Sequence, residues 1–462
     1  MSVQLHPSSF RDPDATVILK NGHVYRLIFN SYCHQFEQLV NSGLYEELVL
    51  GKMLVSHTEV DAALVNLPLS PNLFKIIKPE RIPFISYPYE WSFFQLKRAA
   101  VLTLEIQLKA LQKGMSLKDA TAYNVQFNGS EPVFIDTSSF EIYSEGSPWQ
   151  AYGQFCRHFL GPLLLWSYGK KEMLRLASSF IDGIPLKVIS YSLPAKTKYS
   201  FFILSHIHLH AKLENKHQGD TSLKNKTISL SKDRLKALIE HVKNGIEKLH
   251  PLKESSEWTD YYETFSYDKT NYTQKQSIVR SFIEAIKPDM LLDLGCNEGE
   301  FSILCKDQAK YIVSADFDPL VITNFYAALK KHDIKNILPL VIDFTNPSPG
   351  IGLNNKERTS FIERSNYDAV LALALIHHLT IGNNIPFDSV AEILSKMTAN
   401  LVIEFVPKED PQTQRLLITK KDIFHNYTLE EFKSSFSKHF RIIEEKQLDN
   451  SSRVLFRMQL YA

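Results

Sequence analysis

Cysteine is scarce in this sequence, with four residues among 462, Cys33, Cys156, Cys296 and Cys305. None forms a CxxC pair, which excludes cysteine-rich zinc modules and a disulfide framework. An excess of either charge sign is also missing, since 52 Lys and Arg face 51 Asp and Glu. That balance gives no global basic field, and so no strong nucleic-acid signature, although a local basic groove is compatible with it. Long apolar runs are lacking too. The most apolar window, FLGPLLLW over 159–166, is far too short to span a bilayer and reads as buried helix. The opening residues, MSVQLHPSSFRDPDAT, have no charged-then-apolar layout. A reducing cytoplasm is therefore the expected location. No internal repeat interrupts the chain.

What remains is a globular composition, 44% hydrophobic and 22% charged, in a length that exceeds one ordinary domain. Three regions separate. Residues 1–207 mix strands and helices: VILK-NG-HVYRLI predicts a hairpin turning on Asn21-Gly22. FEQLVNSGLYEELV and FFQLKRAAVLTLEIQLKALQKG carry helical spacing, the second closed by Gly114. Residues 208–256 form a linker. HLHAKLENKHQGDTSLKNKT, 208–227, reads as a polar loop. A bridging helix follows, with Ser231 as a cap candidate and a stripe of Leu235, Leu238, Ile239, Val242, Ile246 and Leu249. Residues 257–462 alternate strand and helix, the pattern of parallel βαβ units. MLLDL, YIVSAD, ILPLVID, DAVLALA and NLVIEFV are the strand-length runs, and RIIEEKQLD-NSS-RVLFRMQLYA predicts a closing hairpin.

The first of those strands breaks on LDLGCNEGEFS, in which Asp293, Gly295, Cys296, Asn297 and Gly299 form a DxGxNxG turn into a helix. A dinucleotide loop needs GxGxxG, its second glycine admitting a pyrophosphate. Here Asp293 and Glu298 would repel one, whereas an acid can attract an α-ammonium group. YIVSAD ends at Asp316-Phe317, about twenty residues on, where a carboxylate can take both ribose hydroxyls. ILPLVID ends at Asp343-Phe344, an acid for an adenine amino group and an aromatic for its face. With these residues in order, the region resembles the class I S-adenosylmethionine-dependent methyltransferases. PLVIDFTNPSPGIG, KERTSFIERS, LALALIHHL and IEFVPKEDPQTQRLL are similar to a nodulation-type bacterial subgroup of them. The resemblance implies a Rossmann-like, mostly parallel seven-stranded sheet with a terminal antiparallel hairpin, and S-adenosyl-L-methionine as cofactor. It leaves the methyl acceptor open.

Methyl transfer from a sulfonium asks chiefly for alignment, with a base where the acceptor must lose a proton. His377 and His378 follow the fourth strand, at the edge where such sheets bind ligands, and Glu404 ends the next strand. These three are the candidate catalytic residues, and which histidine faces the acceptor cannot be read from the pair. A shared metal is disfavoured because adjacent helical side chains diverge by about 100°, so no metal is assigned. WTDYYETFSYDKTNYTQK, with Trp258, Tyr261, Tyr262, Tyr272 and Lys275, is a candidate lid or an interdomain packing segment. Arg358 is a candidate clamp for an anionic acceptor, or a solvated helix charge like Arg364.

In the amino-terminal half, SLKDATAYNVQFNGSEPVFIDTSSFE sets Asp119 five residues before Asn124, with Asp136 closing an apolar strand. This resembles the catalytic loop and metal-binding acid of the protein-kinase-like fold, where Asp positions a hydroxyl and Asn plus Asp hold magnesium. RIPFISYPYEWSF is similar to the connector between kinase lobes. Leu117-Lys118 stands where His-Arg precedes the Asp, and Thr137-Ser138 replaces Phe-Gly. No glycine-rich loop precedes the hairpin, and Arg26 is the nearest counterpart of the strand lysine. The expectation is an α/β protein: an amino-terminal α+β, kinase-like domain serving acceptor binding or structure, and a methyltransferase domain acting on a small molecule, glycan or protein. The alternatives are a non-catalytic S-adenosylmethionine-binding regulatory module and a bifunctional protein with an active kinase-like half.

Overall fold

A computed structural model of the chain describes residues 4–65, 71–217, 229–252, 269–418, 420–449 and 451–461. Its contacts divide into two compact units, 1–127 with 131–253 and 350–358, and 128–130 with 254–349 and 359–462. Among the described residues no helix is long and apolar enough to cross a membrane.

The first unit opens with strands β1 (Gln4–Leu5), β2 (Ala15–Lys20), β3 (His23–Phe29), β4 (His57–Glu59) and β5 (Leu73–Pro79). They form an antiparallel sheet in the order β1-β2-β3-β5-β4. The β2–β3 turn falls on Asn21 and Gly22, at φ 51° and 74°, the positive values that favour this residue pair. FEQLVNSGLYEELV is helical in two pieces, Cys33–Asn41 and Leu44–Leu50, broken at Gly43 with φ 74°. The helix Phe93–Gln112 buries Leu96, Ala99, Ala100, Leu104 and Leu111 along its length. Short strands β6 (Met115–Leu117), β7 (Val125–Asn128), β8 (Glu131–Phe134) and β9 (Phe140–Ile142) follow, pairing β6 with β9 and β7 with β8.

The bridging helix is Lys232–Glu247, and it packs on Phe93–Gln112 within this unit, burying Leu235, Ile239, Val242 and Ile246. Ser231 occupies its N-cap position, but the side chain makes no capping hydrogen bond. The loop expected from His208 is a correction: the chain is π-helical over Leu204–Leu209 and α-helical over His210–His217. His208 is buried there with both ring nitrogens bonded, to Ser190 Oγ at 2.8 Å and Thr197 Oγ1 at 2.9 Å. Tertiary bonding thus overrides a polar composition. Residues 218–227 of that expected loop lie outside the described residues.

The second unit contains β10 (Met290–Leu294), β11 (Tyr311–Asp316), β12 (Ile337–Val341), β13 (Tyr367–Ala372), β14 (Thr398–Phe405), β15 (Phe440–Gln447) and β16 (Val454–Leu460). The sheet order is β12-β11-β10-β13-β14-β16-β15. Strands β10 to β14 are parallel, and β16 runs antiparallel to β14 and β15. Helices cover both faces of a parallel sheet, so its strands read as continuous apolar runs; Leu291, Leu292, Ile312, Val313, Val370 and Leu371 are all buried. After β12 the chain order reverses to the far side of β10. That places the switch point, where such sheets bind ligands, at the carboxyl ends of β10 and β13.

Candidate functional site

At that switch point a cavity of about 470 Å³ opens in the second unit, a size ordinary for a small-molecule site. Its wall includes Asp293, Gly295, Cys296, Asn297, Asp316, Phe317, Asp343 and Phe344. Eight of the nine expected cofactor-binding residues therefore share one space. The ninth, Gly299, shapes the loop from behind: a Cβ there would stand 1.9 Å from Phe325 Cζ, at a φ of 77°. Only glycine lets the loop lie so close to the helix Pro319–Lys331.

Each loop residue is held by a separate bond. Asp293 Oδ2 accepts from Ser302 Oγ at 2.6 Å, and Ser302 meets Ser314 Oγ at 2.7 Å. Gly295, at φ 76°, and Cys296 donate to the Ala315 carbonyl, at 2.8 and 3.1 Å. Asn297 sits at φ 47°, a left-handed position Asn tolerates, and accepts from the Glu298 amide at 2.7 Å. Its own amide donates to Asp316 Oδ2 at 2.9 Å. The other oxygen of Asp316 accepts from the Asp318 amide at 3.0 Å. Burial pushes the carboxyls of Asp293 and Asp316 up to about 6, against bonds from Ser302 and the amides that pull down. Asp343 Oδ1 accepts from the amide and hydroxyl of Thr345, at 3.0 and 2.6 Å.

The three candidate catalytic residues divide. His378 lines the cavity beside Leu375, Leu379 and Asn383, and burial lowers its imidazole to about 4, so the ring is neutral at cellular pH. His377 and Glu404 do not line it, which differs from the sequence expectation. His377 is fully buried, with neither ring nitrogen hydrogen-bonded, and its ring centroid lies 4.2 Å from that of His378. Burial first, then the neighbouring His378 and the charges of Arg453 and Lys275, hold it neutral. Glu404 is equally buried, where it accepts from Lys275 Nζ at 2.6 Å and the Ala374 amide at 2.8 Å. Ala374 has φ 48°, so Glu404 secures a left-handed residue in the cavity wall.

Lys275 also lines the cavity, from the helix Lys269–Ile286, with Nζ 5.0 Å above the Phe301 ring. Tyr272, one turn earlier, packs edge-on to Phe301 outside the lining. Trp258, Tyr261 and Tyr262 of the expected lid lie outside the described residues. Sequence reasoning missed Arg453, which is buried, stands 3.6 Å from Glu404 and clamps Asp410 through two bonds of 2.6 and 2.9 Å. Nothing local marks it, because its partners are distant in sequence. Among the described residues no cluster of three or more His, Cys, Asp or Glu could hold a metal ion.

Arg358, the candidate clamp, belongs to the first unit. It forms an antiparallel bridge with Ile351 rather than lying on a helix, and its guanidinium covers the Tyr123 ring at 4.3 Å. In the same unit Asp119 accepts from the Thr121 amide at 3.0 Å. Asn124 and Asp136 meet through Ser139, whose Oγ accepts from Asn124 at 2.9 Å and donates to Asp136 at 2.5 Å. Arg26 is ion-paired with Asp136 and donates to Ser138 Oγ at 2.8 Å. Burial lowers Arg26 to about 10.

No protein-family model matches the sequence. Over 453 residues it is 34% identical to nodulation protein NoeA of Rhizobium meliloti (strain 1021), covering 97% of this chain and 94% of that protein. Among solved structures, the N-methyltransferase NodS of Bradyrhizobium japonicum WM9 aligns at 14% identity and a TM-score of 0.32, over 42% of this chain and 99% of its own. Magnesium protoporphyrin IX methyltransferase of Synechocystis PCC 6803, with bound S-adenosylhomocysteine, aligns at 14% and 0.30, over 41% of this chain and 84% of its own.

Proposed function

The chain belongs to the family of nodulation protein NoeA, and on that premise we propose that it is an S-adenosylmethionine-dependent methyltransferase whose second unit holds the cofactor. The observation that carries the reading is the convergence of a glycine elbow and three spaced acids on one cavity at the switch point. Asp316 suits the ribose hydroxyls, Asp343 and Phe344 the adenine, and Asp293 with Gly295 the amino-acid end. Gly295 lines a place that a side chain would fill, since even a Cβ would reach 3.2 Å from Leu375.

When bound, the cofactor supplies a methyl group on a sulfonium, already activated for in-line displacement. The residues of the chain align the partners, exclude water and take up a proton. His378 is the group placed to accept that proton at a ring nitrogen, because it is neutral and lines the cavity. Glu404 and Lys275 act as positioning residues: their ion pair ties the helix Lys269–Ile286 to β14 and fixes Ala374. The acceptor is a molecule bearing a hydroxyl, amine or similar nucleophile.

Titration calorimetry tests the reading. The wild type binds S-adenosylmethionine, Asp316→Ala weakens binding roughly a hundredfold through two lost charge-assisted hydrogen bonds, and Gly295→Arg abolishes it. No binding by the wild type, or affinity unchanged in both variants, overturns it. Labelled cofactor incubated in lysate, followed by mass spectrometry, identifies the acceptor. Binding without transfer across broad acceptor panels favours a regulatory module instead.

For the first unit we propose a kinase-like shell without phosphotransfer. The antiparallel five-stranded sheet, connector, long helix and β7–β8 hairpin follow one another in kinase order. Arg26 neutralises Asp136 directly, and Asp12 bonds Ser138 beside it, which leaves that acid committed to the protein. Magnesium-dependent nucleotide binding that Asp136→Asn abolishes would instead make the protein bifunctional.

A further inference from the structure

From Gly183 to Leu213 the sequence has no Asp or Glu and four lysines, Lys187, Lys196, Lys198 and Lys212. The structure turns this acid-free stretch outward. Tyr199 is 93% exposed, Tyr191 80% and Phe201 76%, with Leu209 and Leu213 also exposed. A single exposed aromatic is ordinary, but three of them within residues 191–201, a run with two lysines and no acid, are not.

One buried residue ties the backbone of this stretch together. His208 binds Ser190 of the helix Leu186–Ser192 and Thr197 of the turn Ala195–Tyr199. Their sequence neighbours Tyr191, Lys196, Lys198 and Leu209 are exposed, on the backbone segments that these two bonds join. Burial lowers the His208 imidazole, and the charges of Lys198 and Lys212 lower it further. Lys187 Nζ stands 6.0 Å from the Tyr191 ring and Lys196 Nζ 5.8 Å from the Tyr168 ring. None of the four lysines forms an ion pair among the described residues. Glu214, the first acid after the stretch, is bonded to Arg157 at 2.9 Å.

From this surface we infer that the first unit docks on an anionic lipid bilayer. Tyrosine and phenylalanine rings settle at the headgroup level, and lysines beside them reach lipid phosphates while their stems cover apolar surface. Attraction of several lysines to an anionic leaflet adds to ring insertion, and the two signals together give reversible attachment without a spanning helix. The His208 knot ties the helix that bears Tyr191 to the turn that bears Tyr199, so the backbone beneath these rings is ordered before docking.

Co-sedimentation of the full chain with vesicles tests the inference. Binding is expected to vesicles containing phosphatidylglycerol and not to pure phosphatidylcholine, and it falls as salt rises. Lys196→Glu with Lys198→Glu reduces binding at least roughly tenfold. Tyr199→Ser with Phe201→Ser weakens it while the salt dependence persists. All four side chains are exposed, so melting temperature and S-adenosylmethionine affinity are expected to match the wild type, which separates lost docking from lost folding. No binding to anionic vesicles, equal binding by the lysine variant, or binding to heparin but not to vesicles overturns the inference.

Discussion

Two acidic clusters in this molecule have opposite fates. In the second unit Asp316 spends its oxygens on the backbone amides of Asn297 and Asp318 and stays on a cavity wall. In the first, Asp136 is engaged by Arg26, Ser138 and Ser139. An amide fixes a carboxylate without cancelling its charge, whereas a guanidinium cancels it. The same residue type is thus left on a cavity wall in one unit and used as a structural fastener in the other.

The largest effect is expected from His378→Ala. It leaves cofactor affinity intact and lowers kcat roughly 10²–10⁴-fold, as steady-state kinetics on the identified acceptor would measure. Glu404→Ala comes next. It strands Lys275 in a buried site and is expected to cost about 3–5 kcal/mol of stability by denaturant titration. Glu404→Met with Lys275→Met recovers most of that loss, since a buried pair replaced by apolar groups of similar size is often neutral.

A pH series sharpens the contrast further. Asp293 and Asp316 have folded-state values of about 6, above their ordinary 3.8. The folded, ligand-free unit then holds protons that the unfolded chain releases, so these two groups favour folding increasingly as pH falls from 6 towards 4. If Asp316 takes the ribose hydroxyls as proposed, cofactor affinity is expected to weaken over the same interval as that carboxylate is protonated. Buried histidines such as His378 titrate with the opposite sign in this window. The aspartate contribution is therefore read as the stability difference between the wild type and Asp316→Asn. That difference is expected to grow as affinity weakens, and a difference that shrinks with falling pH would contradict it. The smallest effect is that of Asp136→Asn: it destabilises the first unit but leaves S-adenosylmethionine affinity within experimental error.

The strands of the second unit were legible because a sheet covered on both faces demands unbroken apolar runs, and MLLDL, YIVSAD and ILPLV supply them. The glycine elbow was legible for a related reason: positive φ and close packing leave few residue choices at Gly295 and Gly299. The roles of His377 and His378 were not, since their sequence adjacency says nothing of which ring turns towards the core. The Glu404 cluster was equally hidden. Lys275 lies 129 residues from Glu404, and Asp410 lies 43 from Arg453, so no local pattern records either pair. The helical turn at His208 was not legible because that residue's bonds go to Ser190 and Thr197, outside the window that periodicity samples.

The Asn297 amide on Asp316 and the close seat of Gly299 on Phe325 bind two loops, carried by neighbouring strands, into one stiff bracket. Trimming Phe325 to a smaller side chain is expected to soften both loops at once, without altering any residue that lines the cavity.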